Sequence, residues 1–542
     1  MKTDRNPQPA GQGIRQSMSS LHTWAGLLLG WVLYSMFLTG TVSYFKDELS
    51  QWARPELPHL SQVPDQAAVA QRVADEFSRM DGGVSQWSMR LPDARNNSVY
   101  AFWRTSARVP GQRGFAEANF DPATGHKVAS RDTLGGEFFY RYHFQFHYMP
   151  VVWGRWLAGI AAMFMLVAII SGVITHKKIF VDFFTFRWRK GQRSWLDAHN
   201  TLSVFGLPFH AMITYSGLVT LMALYMPWGE RAAFKAPAER AQLAAELSAF
   251  VPPGKPSGQK APMASVEDMV RQAQERWGRD DVGRVNAVHP GDAAARVVVV
   301  RGLLGRVSMS PQYMEFEGTT GKLLNVRESV GPAAETRGVF YALHLGRFSD
   351  VVTRWLYFLV SAMGTAMVGT GLVMWTVKRR EKLPNPDRPY FGFRLVERLN
   401  VASIAGLSLA MTSFLWANRL LPSSLDGRAN WEIHVFFIVW TLALLHALVR
   451  PAKAAWVEQL WAASALLFLL PVLNALTTQR PLWHSLAAGD WVFASIDIMC
   501  WVLAGFHAVL ALRTARQQTG FRSARKASRR APIAVAAGGG AE

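Results

Sequence analysis

Eight apolar stretches of about 20 residues, set between basic segments, constrain this chain more than any other feature of its sequence. They fall at about 21–45, 150–175, 196–225, 352–377, 398–421, 431–449, 455–477 and 490–512. A stretch of that length crosses the hydrocarbon core of a bilayer as a helix, which satisfies its own backbone where no water can. The reading is therefore a polytopic α-helical membrane protein with about eight transmembrane helices in contact with a lipid bilayer. The first stretch is too long for a signal-peptide core and has no small-residue cleavage site before Lys46-Asp47-Glu48, so it reads as a retained helix.

Charge sets the orientation. The segment after the second stretch carries Lys177, Lys178, Arg187, Arg189, Lys190 and Arg193 against the single acid Asp182. The segment after the fourth and the C-terminal tail are equally basic, and positive loops stay on the cytoplasmic side. Both termini are then cytoplasmic and the two long insertions lie outside. The resulting order is a basic N-terminus (1–20), a first helix (21–45), an external module (46–147), a second helix (148–176), a basic cytoplasmic loop (177–195), a third helix (196–225), a second external module (226–351), a fourth helix (352–377), a cytoplasmic linker (378–397), an appended block of four helices (398–512) and a basic tail (513–542).

Lys and Arg outnumber Asp and Glu by 58 to 38. A nucleic-acid binder would gather such an excess on one soluble face, whereas here it lies between apolar runs, so no nucleic-acid partner is expected. Cys500 is the only cysteine, which excludes a disulfide framework, a thiolate-ligated iron–sulfur cluster and covalent haem attachment.

The first four helices repeat. With His22 set over His199, Thr39-Gly40 falls on Ser216-Gly217. In the second and fourth helices Gly154-Arg155-Trp156 aligns with Thr353-Arg354-Trp355, and Ser171-Gly172 with Thr370-Gly371. The insertions share Phe120-Asp-Pro-Ala-Thr-Gly125 and Phe316-Glu-Gly-Thr-Thr-Gly321. Residues 21–380 thus read as two parallel copies of helix, external module, helix. Each module reads as small α+β. The first has a helix near Ala67–Met80 and strands near Val84–Arg90 and Ser98–Trp103; the second has a helix over Val266–Trp277 and strands over Arg284–Val288, Arg296–Val300 and Tyr313–Phe316.

Histidine carries the chemistry. His22 and His199 sit at equivalent places at the cytoplasmic ends of the first and third helices. His143 and His147 precede the second helix and His344 precedes the fourth, all on the external side. A two-fold axis pairs His22 with His199, and His344 with either His143 or His147. Two neutral imidazoles on facing helices, with small residues beside them, are what a b-type haem requires. His210 and His176 are secondary candidate ligands: the first lies deep in the third helix, the second at the inner end of the second. His446 and His507, at matching depth in the appended block, are candidates for a third haem. Two haems are expected, three if that last pair also ligates.

The chain has no Gly-x-Gly-x-x-Gly after a strand, no phosphate-cradling loop, no His-Glu-x-x-His and no Gly-x-Ser-x-Gly. Electrons must therefore come from quinol or from a separate cytoplasmic reductase.

The His22-x-Trp-x-Gly opening, the modules with their Thr-Gly turns, Ser171-Gly-Val-Ile-Thr-His176 and Leu196-Asp-Ala-His199…Pro208-Phe-His210…Ser216-Gly217 together resemble the PepSY-associated transmembrane proteins, over about residues 15–420. That resemblance implies a bacterial inner-membrane protein with a four-helix haem-bearing core and external, periplasmic PepSY modules. It also implies iron-linked redox activity, with ferric siderophore as acceptor, oxidoreductase chemistry of the ferric-siderophore reductase type, and His22, His199, His344 and His143 or His147 as haem ligands. Basic groups near the outer pair, such as Arg141, Arg155 and Arg354, are candidates for holding the acceptor. The alternative is a PepSY-bearing siderophore transporter, or a protease-regulating or sensor protein, without redox activity.

Overall fold

The first apolar stretch is two helices, Ile14–Leu28 (α1) and Gly30–Ser43 (α2), bent by 66° at Leu29. The computed structural model describes residues 13–81, 83–105, 114–176, 192–249, 254–278, 281–380, 382–385 and 388–528. Beyond α2 lie Lys46–Trp52 (α3), Gln66–Arg79 (α4), Gly136–Gln145 (α5) and the straight span Val151–Thr175 (α6). The third stretch is broken like the first, into Gln192–Phe205 (α7) and Leu207–Thr220 (α8), bent by 68° at Gly206.

These two breaks correct the expectation of continuous helices at 21–45 and 196–225. Leu29 (φ −115°, ψ 6°) and Gly206 (φ −88°, ψ 3°) leave helical geometry. Pro208 follows Gly206 in the first turn of α8, where a missing N–H costs nothing. The end of α1 and both ends of α2 recur at one constant interval along the chain in α7 and α8.

The chain continues through Met222–Tyr225 (α9), Trp228–Ala233 (α10), Pro237–Glu246 (α11), Val266–Trp277 (α12), Pro332–Leu345 (α13) and the span Val351–Arg380 (α14). The remaining helices are Phe391–Leu420 (α15), Arg428–Val449 (α16), Ala452–Thr477 (α17), Leu482–Ala487 (α18) and Trp491–Ser528 (α19). Among the described residues six helices are long and apolar enough to cross a membrane, or up to eight if each bent pair is one span. In the first half α1 packs on α6, α2 on α14, α7 on α14, and α8 on α6.

Between the spans the two insertions build one sheet, not two separate modules. The strands are Val84–Arg90 (β1), Val99–Thr105 (β2), Ala116–Phe120 (β3), Lys127–Val128 (β4), Val282–Val288 (β5), Arg296–Arg301 (β6), Tyr313–Glu317 (β7) and Leu323–Arg327 (β8). Their order is β4-β3-β2-β1-β5-β6-β7-β8, antiparallel throughout, so the order mirrors about the β1/β5 seam. At the seam Ser88 lies opposite Asn286, and its Oγ donates to Asn286 Oδ1 at 2.6 Å. Gln66 donates to Val282 O at 2.9 Å, and Gln71 Oε1 accepts from Val266 N at 2.7 Å, closing the seam from the helix side.

The alternating strands turn Trp87, Met89, Val285 and Ala287 inward against α4 and α12, and all four are buried. Phe77 stacks on Trp87 with ring centres 5.6 Å apart. Asp65 and Ser265 cap α4 and α12 by accepting from Ala67 N and Asp268 N at 3.1 Å each. Both Thr-Gly turns place their glycine at positive φ, Gly125 at 75° and Gly321 at 72°.

The chain splits into two compact units, the second made of Arg388–Leu421, Asn430–Leu482 and Ala494–Glu542. In that unit α15 packs on α17, and a Cβ on Gly406 would lie 3.0 Å from that of Ala443. Several of its buried polar groups satisfy one another: Asn418 donates to Glu432 at 2.8 Å, Arg419 to Asn474 at 3.0 Å and Asn474 to Asp497 at 3.1 Å. Such a chain of partners lets charged groups remain among apolar helices.

Candidate haem-ligand pairs

Four of the histidines form two facing pairs. His22 on α1 and His199 on α7 stand with ring centres 6.2 Å apart and 73° between planes. His143 on α5 and His344 on α13 stand 6.1 Å apart at 32°.

Each ring is held in the same way. His22 Nδ1 donates to Ala168 O at 2.8 Å and His199 Nδ1 to Met367 O at 2.9 Å. His143 Nδ1 donates to Met36 O at 2.6 Å and His344 Nδ1 to Ile213 O at 3.0 Å. A carbonyl only accepts, so Nδ1 carries the proton and the neutral ring keeps its lone pair on Nε2. None of these four Nε2 atoms has a hydrogen-bond partner among the described residues. Fixing the second nitrogen on a carbonyl is how ligating histidines are oriented.

Glycines make the room. A Cβ on Gly172 would lie 3.2 Å from the His22 ring, and one on Gly371 3.2 Å from the His199 ring. On Gly40 it would lie 2.7 Å from His143, and on Gly217 2.8 Å from His344. The four hydroxyl-glycine pairs that repeat in the sequence are thus the floors on which the four histidines rest. Ser171, Thr370 and Ser216 turn their hydroxyls back on their own helices, to Val167 O at 2.7 Å, Met367 O at 2.9 Å and Ile213 O at 3.3 Å.

An imidazole nitrogen lies about 2 Å from a ligated transition metal and about 1 Å from its own ring centre, so two axial rings have centres about 6 Å apart. Both pairs meet that spacing. Among the described residues no three or more His, Cys, Asp or Glu gather as a metal site, so each pair offers two imidazole nitrogens rather than a cage. Haem fits this donor set, because its macrocycle supplies the remaining four ligands.

His143 and His344 line a cavity with an apolar depth and a charged mouth. Leu33, Met36, Phe37, Ala158 and Met165 line the first; Lys46, Asp47, Arg95, Tyr140 and Arg347 line the second. Asp47 is largely enclosed, and burial works against its charge. Arg90, Lys46, Arg95 and Arg347 outweigh burial and hold its carboxyl well below the usual range. Lys46 also bonds Glu137 at 2.7 Å, Arg95 bonds Glu48 at 3.2 Å, and Glu48 pairs with Arg354.

The other candidates are placed elsewhere. α5 ends at Gln145 and Phe146 turns to φ 54°, so His147 leaves the helix that carries His143 and meets Tyr148 edge-on, with ring centres 4.4 Å apart. His210 is buried between Phe37 and Phe209, with ring centres 6.4 and 6.2 Å away, and its Nε2 lies 3.3 Å from Val360 O. Its ring contacts are aromatic, not another histidine. His176 ends α6 within electrostatic reach of His22 and His199. His446 and His507 are not brought together as a third pair. His446 bonds Glu458 at 2.8 Å and Gln459 at 3.2 Å, while His507 Nδ1 bonds Leu503 O at 2.8 Å. Of the basic candidates, Arg141 pairs with Glu137 at 3.2 Å and Arg155 bonds Gln145 at 3.4 Å. Sequence reading missed Arg347 at the mouth, although it stands three residues after His344.

Long apolar helices, two of them bent, and paired interior histidines define a polytopic helical membrane protein. The family model described as PepSY-associated TM region matches residues 19–378, and the chain belongs to that family. The match runs from within α1 to the last turn of α14 and stops before α15. No curated protein matches the chain.

Proposed function

We propose that the chain carries electrons across a bacterial inner membrane through two b-type haems, one on His22 and His199 and one on His143 and His344, and delivers them to ferric siderophore outside. The observation that carries this reading is the ring spacing in both pairs, 6.2 and 6.1 Å, with all four Nδ1 atoms anchored on carbonyls.

Haem, when bound, supplies reversible one-electron chemistry at iron. The chain's own residues do the rest. Carbonyls of Ala168, Met367, Met36 and Ile213 fix the tautomer and aim of each ring. Gly172, Gly371, Gly40 and Gly217 let the rings approach neighbouring helices. The apolar depth of the outer cavity excludes water, and its mouth opens among cations. Ferric iron is bound far more tightly by siderophores than ferrous iron, so one electron loosens the metal without destroying its carrier.

On this reading residues 21–380 are two parallel copies of one unit. The constant interval between the broken helices, the mirrored strand order and the matched histidine anchors support that. The sheet then lies in the periplasm, the basic segments and both termini face the cytoplasm, and quinol or a separate cytoplasmic reductase gives electrons to the inner pair. The test is reduction of ferric siderophore by the purified, dithionite-reduced protein, followed by loss of the reduced haem absorbance. Reoxidation that depends on the acceptor supports the proposal; reduced protein indifferent to ferric siderophore rejects it.

A further inference from the structure

The mouth of the outer cavity contains a cation with no assigned task. Lys46, Arg95 and Arg354 are each committed to a carboxylate within 4 Å, on Glu137, Asp47 or Glu48. Arg347 has no such ion pair among the described residues. It is half-buried, lines the cavity together with His143 and His344, and lies beside the Tyr140 side chain with Asp47 in electrostatic reach.

Its place is set by the backbone. α13 ends at Leu345, and Gly346 takes the left-handed conformation at φ 60° that stops a helix. The chain turns there, against Tyr44, whose ring atoms would lie 3.2 Å from a Cβ on Gly346. Arg347 thus follows His344 on a fixed turn, one step outward from the ligand.

We propose that Arg347, with Lys46 and Arg95 behind it and Tyr140 beside it, is a carboxylate site for the propionates of the haem held by His143 and His344. The inference rests on the haem reading above and deepens it. The cavity is apolar at depth and cationic at its mouth, and haem has the matching polarity, an apolar macrocycle with two carboxylates on one edge. A guanidinium presents a planar fork of donors suited to a carboxylate. Held this way, the propionate edge would lie at the charged end of the cavity, with Arg347. The positive charge beside it also favours the state that has gained an electron.

Carboxylates could reach this mouth from a second source, an anionic ferric chelate arriving from outside, and the experiment separates the two. Arg347→Gln and Arg347→Lys are made in the His22→Ala background, where only the outer haem remains. Haem content, the reduced-minus-oxidised spectrum and the midpoint potential are recorded, with binding of an anionic ferric chelate measured alongside. The expected result is a lower midpoint potential and loss of haem on washing in Arg347→Gln, both largely restored in Arg347→Lys, with gel-filtration profiles unchanged. Unchanged haem content and potential in Arg347→Gln overturn the assignment, and if chelate binding falls at the same time the mouth belongs to the acceptor. Absence of haem from the parent protein is a different outcome, which rejects the haem reading itself.

Discussion

His143 and His344 face each other with ring centres 6.1 Å apart, each resting on a glycine of the neighbouring bent helix and each tied through Nδ1 to a carbonyl of that helix. Two residues about 200 positions apart in sequence meet because their short helices α5 and α13 dock on α2 and α8. The bend at Leu29 and Gly206 gives α2 and α8 a direction different from that of α1 and α7, so each broken span serves one histidine pair with its first half and the other pair with its second.

Ligand removal should be selective. His143→Ala and His344→Ala lose the outer haem and keep the inner one; His22→Ala and His199→Ala do the reverse. His147→Ala keeps both, because its ring packs edge-on against Tyr148, away from the pair. A pyridine haemochrome assay of each purified variant reads this directly, as one haem per chain for the first four and two for the last.

The glycine floors give a second, steric test. A side chain on Gly40 meets the His143 ring at 2.7 Å, closer than carbon atoms approach, and both sit in a packed interior. Gly40→Val should displace His143 and abolish the outer haem while leaving the inner spectrum unchanged. Gly26, with nothing within 4 Å of an added Cβ, is the control: Gly26→Ala retains both haems.

How much of this was legible beforehand differs by element. The helix over Val266–Trp277 is found with those bounds, because alternating apolar and charged residues fix one face and Ser265 supplies the cap. Strand Val84–Arg90 is likewise found as read. The helix breaks were hidden, since an apolar run reads the same whether continuous or bent when neighbouring helices shield the backbone. The single sheet was hidden too, because pairing of β1 with β5 is a long-range choice that neither strand's pattern encodes. His143 and His147, four residues apart, would share a helix face; only the turn at Phe146 separates them. The alignment exposed the Ser-Gly and Thr-Gly pairs but not what rests on them.

The appended helices predict a null result. His446 is engaged by Glu458 and Gln459, and His507 by the carbonyl of Leu503. The double variant His446→Ala/His507→Ala should retain two haems per chain, with an unaltered reduced spectrum.

The ionic network at the cavity mouth predicts a pH dependence. Asp47 is held below its ordinary value of 3.8 in the folded chain, its cationic neighbours outweighing burial. A carboxyl whose folded pKa is depressed stabilises fully above the unfolded value and loses that contribution as pH falls toward the folded one. The thermal-stability gap between wild type and Asp47→Asn should thus be constant from neutrality to about pH 4 and close only below it. Glu48→Gln, which leaves the buried Arg354 guanidinium without its carboxylate, should cost about 3 kcal/mol at neutral pH.

Whether two pairs of histidines hold two b-type haems is read from the absorption spectrum of gently purified protein before and after dithionite, with a pyridine haemochrome count. The expected result is a Soret band, a reduced b-type spectrum and two haems per chain. Colourless protein from cells with ample haem would contradict it.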